Sequence, residues 1–285
     1  MLLLRLLLLT TLLLPVSCDT ISSPTYTLAT ITTGLADICQ KEYAIPIVST
    51  LKGRTLWIYL PLEEELFIDT DTPQESLKAF ELQTLEGSLA ENTIKFDYSI
   101  AEIPEIKESQ NKKINPLIAE KMRKVFNAIR RVILSLQHNT EEPIFFATVT
   151  SDIKNGIEII EITYIDDLKK ALYGLISITE YQHRSLQDIR LSFEAIGDKD
   201  GKHLRYTDLA FKDFLIEQMK QRIHSKFSRP EVKKGTDIDK EVIKSIQHVL
   251  EIYKFSDFSM LELKNIATEN KISLSRAAIL EKSKE

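Results

Sequence analysis

Apolar residues follow two different spacings along this 285-residue chain, and the spacing shows where helices and strands are expected. Apolar positions three and four residues apart are typical of a buried helix face, whereas alternation and short β-branched runs are typical of strands. Pro116 and Asp237 come at the start of two helical segments, where these residue types are favoured. The spacing predicts helices over 35–43, 73–81, 116–138, 166–176, 207–227 and 237–255.

Strand-like runs occur in pairs. Residues 45–51 and 55–60 flank Lys52-Gly53, and residues 144–150 and 157–165 flank a turn with Asn155-Gly156. Such turns favour hairpins. A further strand is predicted over 93–100, and a closing hairpin at 261–263 and 272–274, where a helix pair is the alternative. Hairpins and amphipathic helices without regular βαβ alternation predict an α+β fold.

Two polar segments suggest how the chain is divided. Residues 101–116 are polar and contain two prolines, which predicts a linker over 106–116 between an N-terminal α+β segment, 34–105, and a C-terminal one, 117–285. Residues 18–33 are rich in Ser and Thr and lack a helical stripe. We interpret them as a tether.

The N-terminal 18 residues have the pattern of an export signal. Arg5 is followed by an almost unbroken leucine run to Leu14 and then by small residues. The apolar stretch from Leu6 to Val16 is about half of the roughly 20 residues that a membrane-spanning helix needs. The pattern therefore favours a leader over a transmembrane anchor.

The sequence Leu14-Pro15-Val16-Ser17-Cys18 resembles the end of a bacterial lipoprotein signal peptide, although Pro15 stands where that class usually has Leu. The resemblance implies that residues 1–17 are removed and that Cys18 carries lipid. It further implies a bacterial cell-envelope location, and Asp19 directly after the cysteine favours retention at the inner membrane. Ordinary cleavage near Cys18, giving a soluble secreted or periplasmic protein, is the alternative.

Composition narrows the functional classes. The formal charge of −5 lacks the basic excess of nucleic-acid-binding proteins, so no nucleic-acid partner is expected. Basic residues do cluster from Lys112 to Arg131. They form either a solvated helix face or a contact with anionic lipid headgroups.

The chain has two cysteines, so a disulfide framework is excluded. Cys39 is expected to be a small buried residue, or to pair with Cys18 if that residue is neither removed nor acylated.

Common catalytic and phosphate-binding motifs are absent. Neither Gly-x-Ser-x-Gly nor His-Glu-x-x-His occurs. The segment from Gly197 to His203 has the wrong glycine spacing for a phosphate loop and lacks the first and last calcium ligands of an EF-hand. It is predicted to be a solvated turn. No cofactor and no metal site are predicted.

One polar region stands out between residues 180 and 206, because it combines groups for acid, base and anion chemistry. Its candidates are Glu180, His183, Arg184, Asp188 and His203. The sequence favours a non-enzymatic, lipid-anchored envelope module that binds or assembles with an envelope protein. The alternative is an exported hydrolase or metal-dependent enzyme centred on these five residues.

Overall fold

Two mixed β-sheets and seven α-helices make up the part of the chain that the computed structural model describes, residues 25–137, 143–228 and 232–281. The α+β class predicted from the sequence is confirmed. The helices are α1 (Ile31–Tyr43), α2 (Pro116–Leu134), α3 (Ile165–Leu172), α4 (Ile178–Arg184), α5 (Phe211–Ser228), α6 (Ile238–Ile252) and α7 (Arg276–Glu281). The strands are β1 (Val48–Lys52), β2 (Thr55–Leu62), β3 (Phe67–Ala90), β4 (Thr93–Ile114), β5 (Phe145–Asp152), β6 (Ile157–Tyr164), β7 (Leu186–Leu191), β8 (Met260–Asn265) and β9 (Lys271–Ser275).

Both sheets are built from two hairpins whose inner strands pair in parallel. The first sheet has the order β1-β2-β5-β6-β7, with β2 parallel to β5 and the other pairs antiparallel. The second has the order β3-β4-β8-β9, with β4 parallel to β8. In each sheet, helices lie in the chain between the two hairpins, as a parallel connection requires.

The first sheet presents two different faces, because successive side chains of a strand point to opposite sides. The face that we call the helix face carries Ile58, Phe146 and Ile159, which share a buried core with α1 and α2. The opposite face, which we call the loop face, carries Trp57, Tyr59, Ala147 and Val149 and packs against apolar residues of the segment 204–209.

Helix α5 lies between the two sheets. Phe214 packs against Phe145 of the first sheet, with ring centroids 5.0 Å apart. Leu215, Met219 and Ile223 belong to the core of the second sheet. Because two sides of the helix are buried, its apolar residues cover more of its circumference than a single stripe does. This arrangement places Arg222 of α5 beside Glu180 of α4.

The predicted linker 106–116 differs from the structure. Residues 106–114 form the second half of β4, which pairs with β3 in a long two-stranded ribbon. The predicted helix 73–81 lies in β3 and is therefore wrong. Each sheet also combines hairpins from both of the predicted segments 34–105 and 117–285, so strand pairing does not follow that division.

The predicted tether, 18–33, is wrong over its second half, and its residues 18–24 lie outside the described part of the chain. The backbone of Tyr26 bonds on both sides to the end of α2, through Ser135 (3.1 Å) and Gln137 (2.9 Å), and α1 begins at Ile31. Residues 26–33 therefore belong to the folded body. The predicted hairpins and the four longest predicted helices are present, with boundaries shifted by a few residues, whereas α4, β7 and α7 were not predicted.

Candidate functional site

The five polar residues predicted to share one site lie on separate elements. Glu180, His183 and Arg184 are on α4, and Asp188 is on β7, which is the edge strand of the first sheet. His203 follows β7, in the irregular segment that crosses the loop face. Whether they form one site therefore depends on where α4 and this segment contact the sheet.

The two groups contact strand β6 at opposite ends and on opposite faces. Tyr181 of α4 reaches Thr163 on the helix face, with an Oη–Oγ1 distance of 3.5 Å. His203 contacts Glu158 on the loop face, with an Nε2–Oε1 distance of 2.9 Å. Five residues of a strand span about 17 Å. The structure therefore does not bring His203 together with the polar residues of α4.

His203 bridges two carboxylates. Its Nδ1 lies 2.6 Å from Oδ2 of Asp198 and its Nε2 lies 2.9 Å from Oε1 of Glu158. Glu158 is completely buried and also accepts a bond from the Arg190 guanidinium, Nε to Oε2 at 3.0 Å. Since both ring nitrogens are engaged, neither is available to take a proton from a substrate. The cluster fastens the segment 198–206 to the loop face.

The electrostatics of this bridge favour the charged forms. Burial lowers the pKa of His203, but the hydrogen bonds and charges of Asp198 and Glu158 outweigh it, so that the pKa is raised above its usual value. Burial raises the pKa of Asp198, but hydrogen bonds from His203 and from two backbone N–H groups lower it to about 2. An imidazolium between two carboxylates is the arrangement that results.

The turn from Gly197 to His203 is closed by Asp198, whose carboxylate accepts the backbone N–H groups of Asp200 and His203, both at 2.9 Å. Gly201 is buried against Tyr59, whose hydroxyl donates to the Asp198 carbonyl at 2.6 Å. The turn is therefore packed on the sheet rather than fully solvated as predicted. Among the described residues, no group of three or more His, Cys, Asp or Glu side chains is placed to hold a metal ion.

A second polar cluster joins α3, α4, α5 and α6. The buried Asp167 accepts from Arg184 (3.0 Å) and from the hydroxyl of Tyr253 (2.9 Å). Arg184 also donates to Glu180 at 2.8 Å, and Glu180 lies 3.4 Å from Arg222 of α5. These contacts satisfy the charges of Glu180 and Arg184 within the protein. Their role is to connect the two sheets.

Sequence reasoning missed Glu158 and Asp167, the carboxylates at the centres of the two clusters. A signal was available, since Glu158 and Glu161 interrupt an otherwise apolar strand and a buried charge requires a partner. Burial raises the pKa of Glu161, which lies beneath α4 with a hydrogen bond to Ser185.

The outer edge of the first sheet exposes apolar residues. Within the described residues, β7 pairs only with β6. Ile189 and Leu191 are 60% and 70% exposed, and they lie directly opposite Ile159 and Ile157 of β6. Phe193, which follows the strand, is 77% exposed. On the other side of β6 and β7, two adjoining cavities of about 510 and 470 Å³ share Ile160.

The remaining predicted features are placed as follows. Cys18 lies outside the described residues. Cys39 is buried as predicted, and burial raises its thiol pKa to about 11.

Trp57 is a buried anchor whose indole donates to the Thr207 carbonyl at 2.8 Å. The basic residues of α2 are largely paired, for example Arg131 with Glu42 at 2.6 Å, which reduces the positive charge of that face.

No described helix has the length and apolar character needed to cross a membrane. The chain matches no protein-family model, and neither the curated proteins nor the solved structures contain a significant match to it.

Proposed function

We propose that this protein is a non-enzymatic binding or assembly module of the bacterial cell envelope, anchored through lipid on Cys18, and that strand β7 binds an extended segment of an envelope protein. The observation that carries the proposal is the exposed edge of β7, with Ile189 and Leu191 facing solvent. A free strand edge presents backbone donors and acceptors to which another strand can add.

The direction of the backbone supports strand addition. The N–H of Gln187 bonds to the side chain of Gln221 on α5, so it points away from β6. Because backbone direction repeats every two residues, the N–H groups of Ile189 and Leu191 point outwards as well. An added strand would pair with these groups and cover the apolar side chains beside them.

The dispersal of the polar candidates favours a binding role over an enzyme. A hydrolytic site needs its acid, base and anion-binding groups within reach of one substrate. Here Glu180 and Arg184 pair with each other and His203 is held by Asp198 and Glu158. These groups serve the stability of the fold.

The anchor would hold the folded body close to the membrane. The chain is fixed to the body from Tyr26 onwards, and the eight residue steps from Cys18 to Tyr26 span at most about 29 Å. Strand β7 would then bind proteins within a short distance of the lipid surface.

Lipid attachment is tested by intact mass and membrane fractionation of the wild-type protein, Cys18→Ala and the control Cys39→Ala. We expect a lipid-sized mass increase and membrane retention in the wild type and in Cys39→Ala, and neither in Cys18→Ala. Identical soluble products from all three would refute the anchor.

Strand addition is tested by photo-crosslinking in the native envelope, with the reactive group placed at Leu191 or, as control, at Leu117, an exposed leucine of α2. We expect one adduct of defined mass from position 191 alone, lost in Ile189→Pro, which removes an outward N–H. Thermal melting checks that Ile189→Pro is folded. Equal adducts from both positions, or an adduct unaffected by the proline, would exclude docking at β7.

A further inference from the structure

A basic cavity lies between helices α4, α5 and α6. It encloses about 420 Å³ and is lined by His183 of α4, by residues of α5 and by residues of α6. An adjoining cavity of about 580 Å³ shares several of these side chains. The full lining of the first cavity is His183, Gln221, Arg222, Ser225, Lys226, Lys244, Ser245 and His248.

The lining carries positive charge and no carboxylate. Arg222, Lys226 and Lys244 contribute three cations to the lining. Two carboxylates behind the lining balance part of this charge. Glu241 pairs with Lys226 (2.9 Å) and Lys244 (2.6 Å), and Glu180 with Arg222 (3.4 Å). Neither of these carboxylates belongs to the lining itself, so the side chains that face the cavity are cationic or uncharged.

Arg222 is incompletely paired. Its Nε is buried and, within the described part of the chain, has no hydrogen-bond partner. A buried donor without a partner is costly unless another group completes its bonding. Burial and the charge of Arg222 lower the pKa of His248, although the charges of Glu180 and Glu251 oppose this shift. The unused donor of Arg222 indicates that this guanidinium can take a further acceptor.

From this geometry we propose that the cavity binds a phosphate monoester, with Arg222 as the central ligand. Arginine forms two parallel bonds to phosphate, and the two lysines supply further charge. Ser225 adds a hydroxyl group to the lining, whereas the Ser245 hydroxyl donates to the Glu241 carbonyl at 2.9 Å. Three cations in one lining suit a phosphate dianion better than a singly charged carboxylate. The adjoining cavity provides room for the organic part of the ligand. This inference does not depend on the proposed docking at β7.

The first test is calorimetric titration of the full-length protein with glycerol 3-phosphate, at about 0.15 M salt to screen exposed charges. We expect saturable one-to-one binding, weakened at least about tenfold in Arg222→Gln, since a bond to a charged group contributes about 1.5–3 kcal/mol. The matched control is Lys220→Gln, which removes one charge from the same helix outside this cavity.

A second variant protects the test against misfolding. If Arg222→Gln melts at a much lower temperature than the wild type, Ser225→Asp replaces it, because a carboxylate at the partly exposed Ser225 would repel the phosphate without removing a buried group. Equal loss of binding in Lys220→Gln and in the cavity variant would overturn the inference, since it would indicate nonspecific attraction.

The source of the phosphate is tested with vesicles. Phosphatidylcholine vesicles with a minority of phosphatidic acid present the same monoester on a lipid, and pure phosphatidylcholine vesicles are the control. Retention by phosphatidic acid that requires Arg222 would identify a lipid headgroup, whereas binding of glycerol 3-phosphate alone would identify a soluble ligand. Either result supports the site. Binding in neither experiment would overturn it.

Discussion

Replacing His203 with Gln removes the cation that lies between Asp198 and Glu158. Two charge-assisted hydrogen bonds are lost, at 2.6 and 2.9 Å, and the single amide nitrogen of glutamine can bond to one of the two carboxylates at most. Bonds to charged groups contribute about 1.5–3 kcal/mol each. Glu158 is completely buried and would retain only Arg190 as a charged partner. We therefore expect His203→Gln to lower the free energy of unfolding by about 2–4 kcal/mol.

The loss should depend on pH in a defined direction. The pKa of His203 is raised in the folded state, so its stabilisation is complete below the ordinary histidine value of 6.5 and is lost as the pH rises through the folded-state pKa. Asp198 acts in the opposite sense. Its pKa is lowered to about 2, so its contribution is present above 3.8 and is lost as the pH falls towards 2. The bridge is therefore strongest in mildly acidic solution.

Urea unfolding of the wild type and His203→Gln, at about pH 6 and about pH 9, measures both effects. Taking the difference between the two proteins cancels the other titrating groups. With a denaturant slope of about 3 kcal/mol per molar urea, the expected loss shifts the midpoint by about 1 M at the lower pH and by less at the higher one. The control is His224→Gln, because His224 is exposed and its ring nitrogen lies 3.4 Å from the Ser228 hydroxyl, apart from this bridge. A loss below about 1 kcal/mol, or one independent of pH, would refute the reasoning.

Three further predictions test the packing around the sites. Tyr253→Phe should destabilise the fold by about 1 kcal/mol in urea unfolding, because it removes the 2.9 Å hydrogen bond to Asp167; an unchanged midpoint would contradict a contribution from this bond. Cys39 should react with a thiol reagent at mildly alkaline pH only after unfolding, since it is buried and its pKa is raised to about 11; rapid labelling of the native protein would disagree. Gly201→Ala should cost at least about 1 kcal/mol, because its φ of +70° disfavours a side chain and the new Cβ would overlap the Tyr206 hydroxyl; a thermal melt matching that of the wild type would count against this.

The sequence predicted elements that have a buried face and failed where neither face is buried. The stripe on α2 starts at the Asn115 cap and Pro116, and its apolar residues are in the core, so pattern and structure agree. The ribbon of β3 and β4 projects away from both cores over much of its length. Most of its exposed residues are polar, with Leu77 and Ile106 among the exceptions, so the two-residue alternation that identifies a strand is lost.

Proline also misled the interpretation of the ribbon. From the sequence, Pro73 indicates the start of a helix and Pro104 indicates a linker. In the structure both prolines lie at irregularities of the β3–β4 pairing. The regular register is interrupted between Asp69 and Gln74 and again between Lys78 and Phe80. A proline lacks the N–H of a regular ladder, and a bulge or an edge accommodates it. Local sequence cannot distinguish such a bulge from the end of a strand.

The candidate site was only partly predictable, because its organisation depends on long-range contacts. Residues 180–206 were correctly identified as polar and chemically varied. Their separation into two clusters follows from Glu158 and Asp167, which lie earlier in the chain and on different elements. No spacing within 180–206 indicates that β6 separates His203 from α4.

The interleaved order of the two sheets constrains how a growing chain can fold. The central pair of the second sheet joins Thr93 to Met260, so this sheet has its long ribbon early in synthesis but waits for β8 and β9 until almost the whole chain has emerged. Until then Phe96 and Tyr98 lack the strand and helices that bury them. Strand pairings between residues far apart in the sequence form slowly, and they leave apolar surface exposed for longer. A nascent chain of this topology is therefore exposed to aggregation until the last hairpin has emerged and paired with β4.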